Sequence, residues 1–476
     1  MAWLDSIRNA VSPSAEPINA PDEGYEVIRG EEGDELVHST EALRPIPTTS
    51  KGVHVAFWTL GAGILLSWSA LICSFPLMSL FFQEGSTRTN LASYLGTLYC
   101  FGNFVCLGLA RNNHSATSLN NRQWFSLSLL MTACVFALPA ICFIPFNFND
   151  PFVPAFQLFI ITVSLSVATG ILQSTVFALA SLWGSNSVLA VMSGQGGVAV
   201  LVSGFQLVVS ILAAFGPGSR DEGSVGDPSR SATVGVWLLV FAGTLGCMVA
   251  HRYLFRHPDC HLVLAPLLAR EDGTETQAKG FFGDQTSRSV FQKNIRLEVA
   301  VALVFIITLA VFPPVTSTIT SVRSPPPMLL QASVFIPLHF FIFNVGDYIG
   351  RTYLPVIPRL MITDPSKILW LSMSRVVYLA LFAWCNVSPG NGRAPLINSD
   401  MAFFAILLSC GLTNGWISSL SMIVASSPAL NPRITDAEKD VAGNLAAFSL
   451  VGGLLGGSLL SFVVNWAIRG DPFSSG

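Results

Sequence analysis

Between Asp150 and Arg220 the chain runs without a single Asp, Glu, Lys or Arg. About 20 apolar residues in a helix cross the hydrocarbon core of a bilayer, so this uncharged stretch is long enough to cross more than once. A water-soluble surface cannot be built from it, because ordinary globular domains are about one quarter charged. The rest of the chain has the same character, with 51% hydrophobic and only 11% charged residues over 476 positions. Inside lipid every backbone N–H and C=O must be satisfied within the protein, which selects helices for long apolar runs. The expectation is an all-α integral membrane protein whose solvent is the lipid bilayer.

Apolar runs between polar breaks place spans near 53–82, 92–111, 123–146, 152–183, 187–215 and 232–256, then 297–321, 327–357, 366–386, 400–427 and 438–468. That is about eleven transmembrane helices in a six-plus-five, two-bundle arrangement. Residues 51–256 form the first bundle and 297–470 the second. Residues 257–296, with Arg270, Lys279, Arg288, Lys293 and Arg296 among acids, read as a cytosolic inter-bundle loop. Residues 1–50 are acidic, polar and rich in Pro and Ser, which predicts a disordered cytosolic tail. The tail lacks the basic region and apolar core of a cleavable signal peptide, so the first span is expected to direct insertion. Basic residues outside the spans fall mainly on the side of the tail, which places the N-terminus in the cytosol and the C-terminus in the lumen or outside. The sequon Asn386-Val387-Ser388 then falls on the outer side, and Asn113-His114-Ser115 on the cytosolic side, where it is silent.

Several function classes are excluded. The net charge of −3 and the dispersal of the 25 Lys and Arg residues give no nucleic-acid groove. The nine cysteines lie mostly in apolar runs without CxxC spacing or a histidine pair, so neither a metal site nor a disulfide framework is signalled. No phosphate-binding Gly-x-x-x-x-Gly-Lys loop is present, which argues against ATP-driven pumping, and no repeated element suggests a pore filter. The expected class is a carrier, not an enzyme, with no cofactor.

The polar residues inside the spans are the candidate site. A charge at mid-bilayer costs about 2.5–3.5 kcal/mol on insertion scales and needs a partner or a wet cavity. In Phe343-Asn344-Val345-Gly346-Asp347-Tyr348-Ile349-Gly350-Arg351, Asp347 and Arg351 stand four residues apart, on one helix face. Two readings stand: a polar lining for a substrate cavity, which is favoured, or a structural ion pair with Arg351 reaching the interface. Gly346 and Gly350 share the spacing and admit a neighbouring helix or a ligand to the backbone. Gln173 offers two donors and an acceptor to a ligand edge, or to another helix. Trp68 offers a stacking face for a planar ligand, or simply packs. Met192-Ser193-Gly194-Gln195-Gly196-Gly197 and Gly452-Gly453-Leu454-Leu455-Gly456-Gly457 read as close-packing surfaces. Arg375, in the ninth span, has no evident local partner.

Taken in order, these segments resemble the equilibrative nucleoside transporter family from about residue 53 to 468. Thr59-Leu60-Gly61-Ala62-Gly63-Ile64-Leu65-Leu66-Ser67-Trp68 is similar to its first-helix motif, which ends Leu-Leu-Pro-Trp-Asn. Gln173 and Met192-Ser193-Gly194-Gln195-Gly196 resemble its fourth and fifth helices. Phe343-Asn344, Asp347, Gly350 and Arg351 match its eighth-helix signature Phe-Asn-x-x-Asp-x-x-Gly-Arg. Asn414-Gly415-Trp416, Met422, Pro428 and Ala442-Gly443 resemble its tenth and eleventh helices. The resemblance implies eleven spans, a cytosolic N-terminus and a fold similar to major facilitator carriers. It also implies that Leu65 and Trp68 line a central cavity and that Gln173 bonds the base. Asp347 and Arg351 would address the ribose hydroxyls, with Asn344 in the same substrate-binding set. Ser67 and Ser69 depart from the family's Pro and Asn, which leaves nucleoside against nucleobase preference open. The tail and the Ser/Pro-rich loops suit a fungal member, on a vacuolar or lysosomal-type membrane or the plasma membrane.

The expected function is therefore facilitative carriage of nucleosides, and of nucleobases as a variant, by alternating access around a midplane site. Its rivals are proton coupling through Asp347, carriage of another polar metabolite, and a receptor or scaffold that transports nothing.

Overall fold

In the computed structural model, residues 50–79, 86–110, 116–143, 152–215, 226–272, 285–387 and 395–469 are described. The acidic tail, the tripeptide at Asn113 and the end of the Asn386 sequon lie outside them. The described residues fall within one compact unit, 49–476, and every secondary-structure element named among them is a helix. The first helices are α1 (Lys51–Ser79), α2 (Ser86–Ala110), α3 (Ala116–Phe143), α4 (Phe152–Trp183), α5 (Ser185–Phe215) and α6 (Gly226–Arg256), followed by the short α7 (Cys260–Asp272). Then come α8 (Gln285–Val311), α9 (Ala332–Thr352), α10 (Pro365–Ser374), α11 (Val377–Ala383), α12 (Asp400–Ser426) and α13 (Lys439–Arg469). Among the described residues nine stretches are long and apolar enough to cross a membrane, with Tyr94–Ala110 a shorter apolar helix.

Apolar side chains such as Leu109, Phe136, Leu212, Val249, Trp370 and Trp466 are exposed on the outside. Such surfaces would aggregate in water and are the natural face toward lipid. Helices α1 to α6 pack largely on one another, through α1 with α5 and α6 and through α4 with α2 and α3. Among the later helices, α8 packs on α13 and α9 on α12; the two sets meet where α5 contacts α9 and where α13 contacts α2 and α4.

Local chemistry sets the helix ends. Gly184 alone separates α4 from α5, at φ 107°, a left-handed turn that favours glycine. Asp364 caps α10 by accepting from the Ser366 N–H at 2.9 Å, with Pro365 at the first helical position. A capping box, Thr435 with Glu438, precedes α13.

Three boundaries depart furthest from those read in the sequence. The seventh span was expected over 297–321, but α8 runs from Gln285 to Val311. It stops early because Pro313 and Pro314 supply no N–H to continue the helix. It starts early because its first turns pack on the start of α13: Val290 clusters with Ile434, Val441 and Leu445, and Lys293 Nζ bonds Glu438 at 2.6 Å. The segment 257–296 thus carries α7 and the beginning of α8. The ninth span, expected to be continuous over 366–386, is broken into α10 and α11 at Arg375 and Val376.

Glycine periodicity brings α9 and α12 into backbone contact. A Cβ on Gly346 or Gly350 would lie 2.6 or 2.2 Å from the carbonyl oxygens of Leu408 and Leu412. One on Gly411 or Gly415 would lie 2.3 or 2.0 Å from those of Phe343 and Asp347. Both helices therefore offer a small residue every fourth position to the other's main chain. The expected neighbour of Gly346 and Gly350 is α12.

Candidate functional site

Asp347 and Arg351 lie one turn apart on α9, and the helix geometry makes them partners. Arg351 Nε donates to Asp347 Oδ2 at 2.6 Å, and each side chain is only 5% exposed. Amides from two other helices extend the pair. Asn414 of α12 donates from Nδ2 to Asp347 Oδ1 at 2.7 Å, and Arg351 Nη1 donates to Gln195 Oε1 of α5 at 3.0 Å. The Phe305 ring of α8 lies 6.0 Å from the guanidinium carbon. A buried pair is tolerable only with such additional bonds, since desolvating two charges costs several kcal/mol each.

The polar chain continues away from the pair. Asn414 Oδ1 accepts from the Thr308 hydroxyl at 2.7 Å and from Arg375 Nη2 at 3.5 Å. Arg375, 1% exposed, also donates to the Thr308 hydroxyl (2.7 Å), the Cys410 carbonyl (3.0 Å) and Thr413. These bonds draw it inward at the break between α10 and α11, which answers the missing local partner: its partners come from α8 and α12.

On the other side of Arg351 is a cavity. From α1 it is lined by Ile64, Leu65 and Trp68, and from α2 by Tyr99, Cys100 and Asn103. Thr169 and Gln173 of α4, Gln195, Phe305 and Arg351 face it, and Leu450 and Leu454 of α13 close it. Trp68 and Tyr99 have ring centroids 5.0 Å apart at 39°. Ser67 turns away from the cavity into a hydroxyl cluster, 3.0 Å from Tyr99 Oη and 2.7 Å from Thr169 Oγ1, with Tyr99 donating to Thr169 at 2.8 Å. The site so built has an aromatic and aliphatic wall, amides on α2 and α4, and a neutralised guanidinium opposite. Such a lining can hold and orient a planar polar molecule; among the described residues there is no cluster of ligands for a metal ion.

Of the residues singled out in the sequence, Leu65, Trp68, Gln173 and Arg351 meet in this one cavity. Asp347 does not line it but stands behind Arg351. Asn344, two turns from Arg351, donates to the Ala199 carbonyl of α5 at 3.3 Å and lies outside the cavity lining. Sequence reasoning passed over Asn103 and Phe305, and over the uses of Gln195 and of Asn414, which it quoted only as part of a motif. Gln195 stood inside a quoted motif, and Asn103 was legible as an amide within an apolar span. Asn386, offered as a glycosylation acceptor, directs Nδ2 to the Thr320 carbonyl at 3.1 Å and to Ser321 at 3.3 Å, tying two loops together.

Known proteins resemble this chain along most of its length. A family profile described as "Nucleoside transporter" matches residues 268–466. Equilibrative nucleoside transporter 1 of Rattus norvegicus is 25% identical over 461 residues, covering 87% of this chain and 97% of that protein. Nucleoside transporter FUN26 of Saccharomyces cerevisiae is 24% identical, covering 90% of this chain and 89% of its own length. Among solved structures, a partially occluded inward-open form of the xylose transporter XylE from E. coli aligns with 88% of this chain and 99% of its own, at 12% identity and a TM-score of 0.47.

Proposed function

We propose that this chain is a member of the equilibrative nucleoside transporter family and carries nucleosides across a membrane by facilitated alternating access. The observation that carries the reading is the meeting of Trp68, Gln173 and the Asp347-backed Arg351 at one buried cavity between the two helix sets. Trp68 gives a planar base a face to stack on, and Gln173 meets its edge. Arg351, held by Asp347, donates to ribose oxygens, while the carboxylate behind it accepts from the diol once substrate displaces part of the pair. Nucleobases, lacking the ribose, would use the first half of the site only.

Helices α2 and α3 are read as the second and third spans. With 25 and 28 residues they extend about 37 and 42 Å at 1.5 Å per residue, against a hydrocarbon core of about 30 Å. Joining α10 and α11 as one broken span gives eleven, six before α7 and five after it. Two bundles rocking about the cavity expose it to one side at a time, driven by the substrate gradient alone. The N-terminus is assigned to the cytosol on the charge distribution. The membrane is assigned as vacuolar or plasma membrane, which imaging of a fluorescent fusion tests.

The deciding experiment is uptake of radiolabelled adenosine and uridine into proteoliposomes containing native protein or Asp347→Ala. Saturable uptake without accumulation, reduced about 100-fold or more in the folded variant, is the expected result. Absence of uptake by folded native protein rejects nucleoside carriage, and accumulation under an imposed pH gradient replaces facilitation with proton coupling.

A further inference from the structure

The polar groups around the cavity divide into engaged and unengaged. The hydroxyls of Tyr99 and Thr169 bond each other and Ser67, and Gln195 accepts from Arg351. The amides of Asn103 and Gln173, each 3% exposed, line the same cavity and hydrogen-bond to none of the described residues. Buried polar atoms are nearly always paired, and Asn103 Oδ1, shut off from solvent without a partner beside the same cavity that Gln173 lines, calls for a ligand.

The two amides are neighbours because α4 carries a glycine one turn before Gln173. A Cβ on Gly170 would sit 2.8 Å from the Asn103 carbonyl oxygen and 3.1 Å from its Oδ1, so only the bare backbone lets α2 lie this close. A purely structural asparagine would use that proximity to tie the helices together. Asn414 does so, joining Asp347 to Thr308. Asn103 makes no such tie, and its amide presents a donor beside an acceptor whichever way it is turned.

We infer that Asn103 reads the nucleobase: together with Gln173 it presents a donor and acceptor edge that selects bases carrying an exocyclic amino or keto group beside a ring nitrogen. The inference rests on the transport reading above and deepens it. Amide side chains match such edges in pairs of bonds, as Asn and Gln do with the N6 and N7 edge of adenine. With Trp68 holding the ring face, the edge is directed into the α2 and α4 wall. A base without the exocyclic group leaves an amide unpaired in a dry site, and that is how hydrogen-bonding sites reject analogues.

The test compares adenosine with purine riboside, which differs only in lacking the 6-amino group, in proteoliposome uptake. Native protein is expected to show a KM for adenosine lower by roughly tenfold or more. Asn103→Leu, of the same branched shape but without a donor or acceptor, is expected to bring the two KM values within about threefold by raising that of adenosine, with maximal rates little changed. If the leucine variant does not fold, Asn103→Thr, whose single hydroxyl cannot offer both functions side by side, is read in the same way. A variant that weakens both substrates alike, or one that keeps the native discrimination, overturns the assignment of Asn103 while leaving nucleoside transport standing. Absence of adenosine uptake by native protein removes the transport reading and this inference with it.

Discussion

At the scale of single residues, charges are the informative ones, because each must be accounted for in a low-dielectric interior. Arg351 pairs with the carboxylate of Asp347, and a second guanidinium, Arg375, reaches that pair only through Asn414. Removing Asp347 leaves Arg351 buried without its counter-ion, a loss of about 3–5 kcal/mol where measured in other proteins. Asp347→Asn, which keeps the shape and one of the two acceptor oxygens, is therefore expected to fold better than Asp347→Ala while still failing in uptake. Thermal unfolding alongside initial rates separates the two effects. Arg375→Lys retains charge but not the planar fork that reaches Thr308, Cys410 and Asn414 together. We expect it to slow nucleoside uptake about tenfold through loss of Asn414 orientation, and normal kinetics in that variant would detach Arg375 from the site. Glu298 is the opposite case: it is 1% exposed and neither carboxylate oxygen finds a hydrogen-bond partner, although the Ser449 hydroxyl lies beside it. Glu298→Met replaces two unpartnered polar oxygens with an apolar chain of similar length, so it is expected to add about 1–3 kcal/mol of stability, read as a higher melting temperature. A fall would mean that the carboxylate is engaged in another conformation.

At the scale of helices, two kinds of glycine behave differently. A Cβ added at Gly184 would meet nothing within 4 Å, and glycine is required there only for its φ of 107°, so Gly184→Ala should cost about 1 kcal/mol. Gly415 faces the Asp347 carbonyl at 2.0 Å from an added Cβ, in contact with unyielding backbone. Gly415→Ala must push α12 off α9 and displace Asn414 beside it, so uptake and stability are both expected to collapse, as thermal unfolding and uptake rates will report. The spacing of Gly346 and Gly350 announced a close contact in the sequence, but the partner helix did not follow from it, since any small-residue face would have served. Helix ends were less legible. The prolines after Val311 were local signals that an apolar run concealed, whereas the early start of α8 depends on packing against α13, about 140 residues later in the chain.

At the scale of the whole molecule, a carrier is distinguished from a pore by its obligatory return step. Proteoliposomes preloaded with unlabelled adenosine are expected to take up labelled adenosine several-fold faster than empty ones, because a loaded site reorients more readily than an empty one. Identical rates would favour a continuous path over rocking bundles. The sequence by itself determined the helical class and the lipid environment, because the length of an apolar run and the absence of charge are local properties that bound what the backbone can do. It also determined the Asp347 and Arg351 pair, whose geometry follows from 3.6 residues per turn. Only the tertiary structure decided that Gln195 and Asn414 complete that pair, that Asn344 serves a helix contact outside the cavity lining, and that Asn103 reaches the wall beside Gln173. Those outcomes depend on how each helix is rotated and how closely it approaches its neighbours, and rotation and approach are set by side chains far apart in the chain.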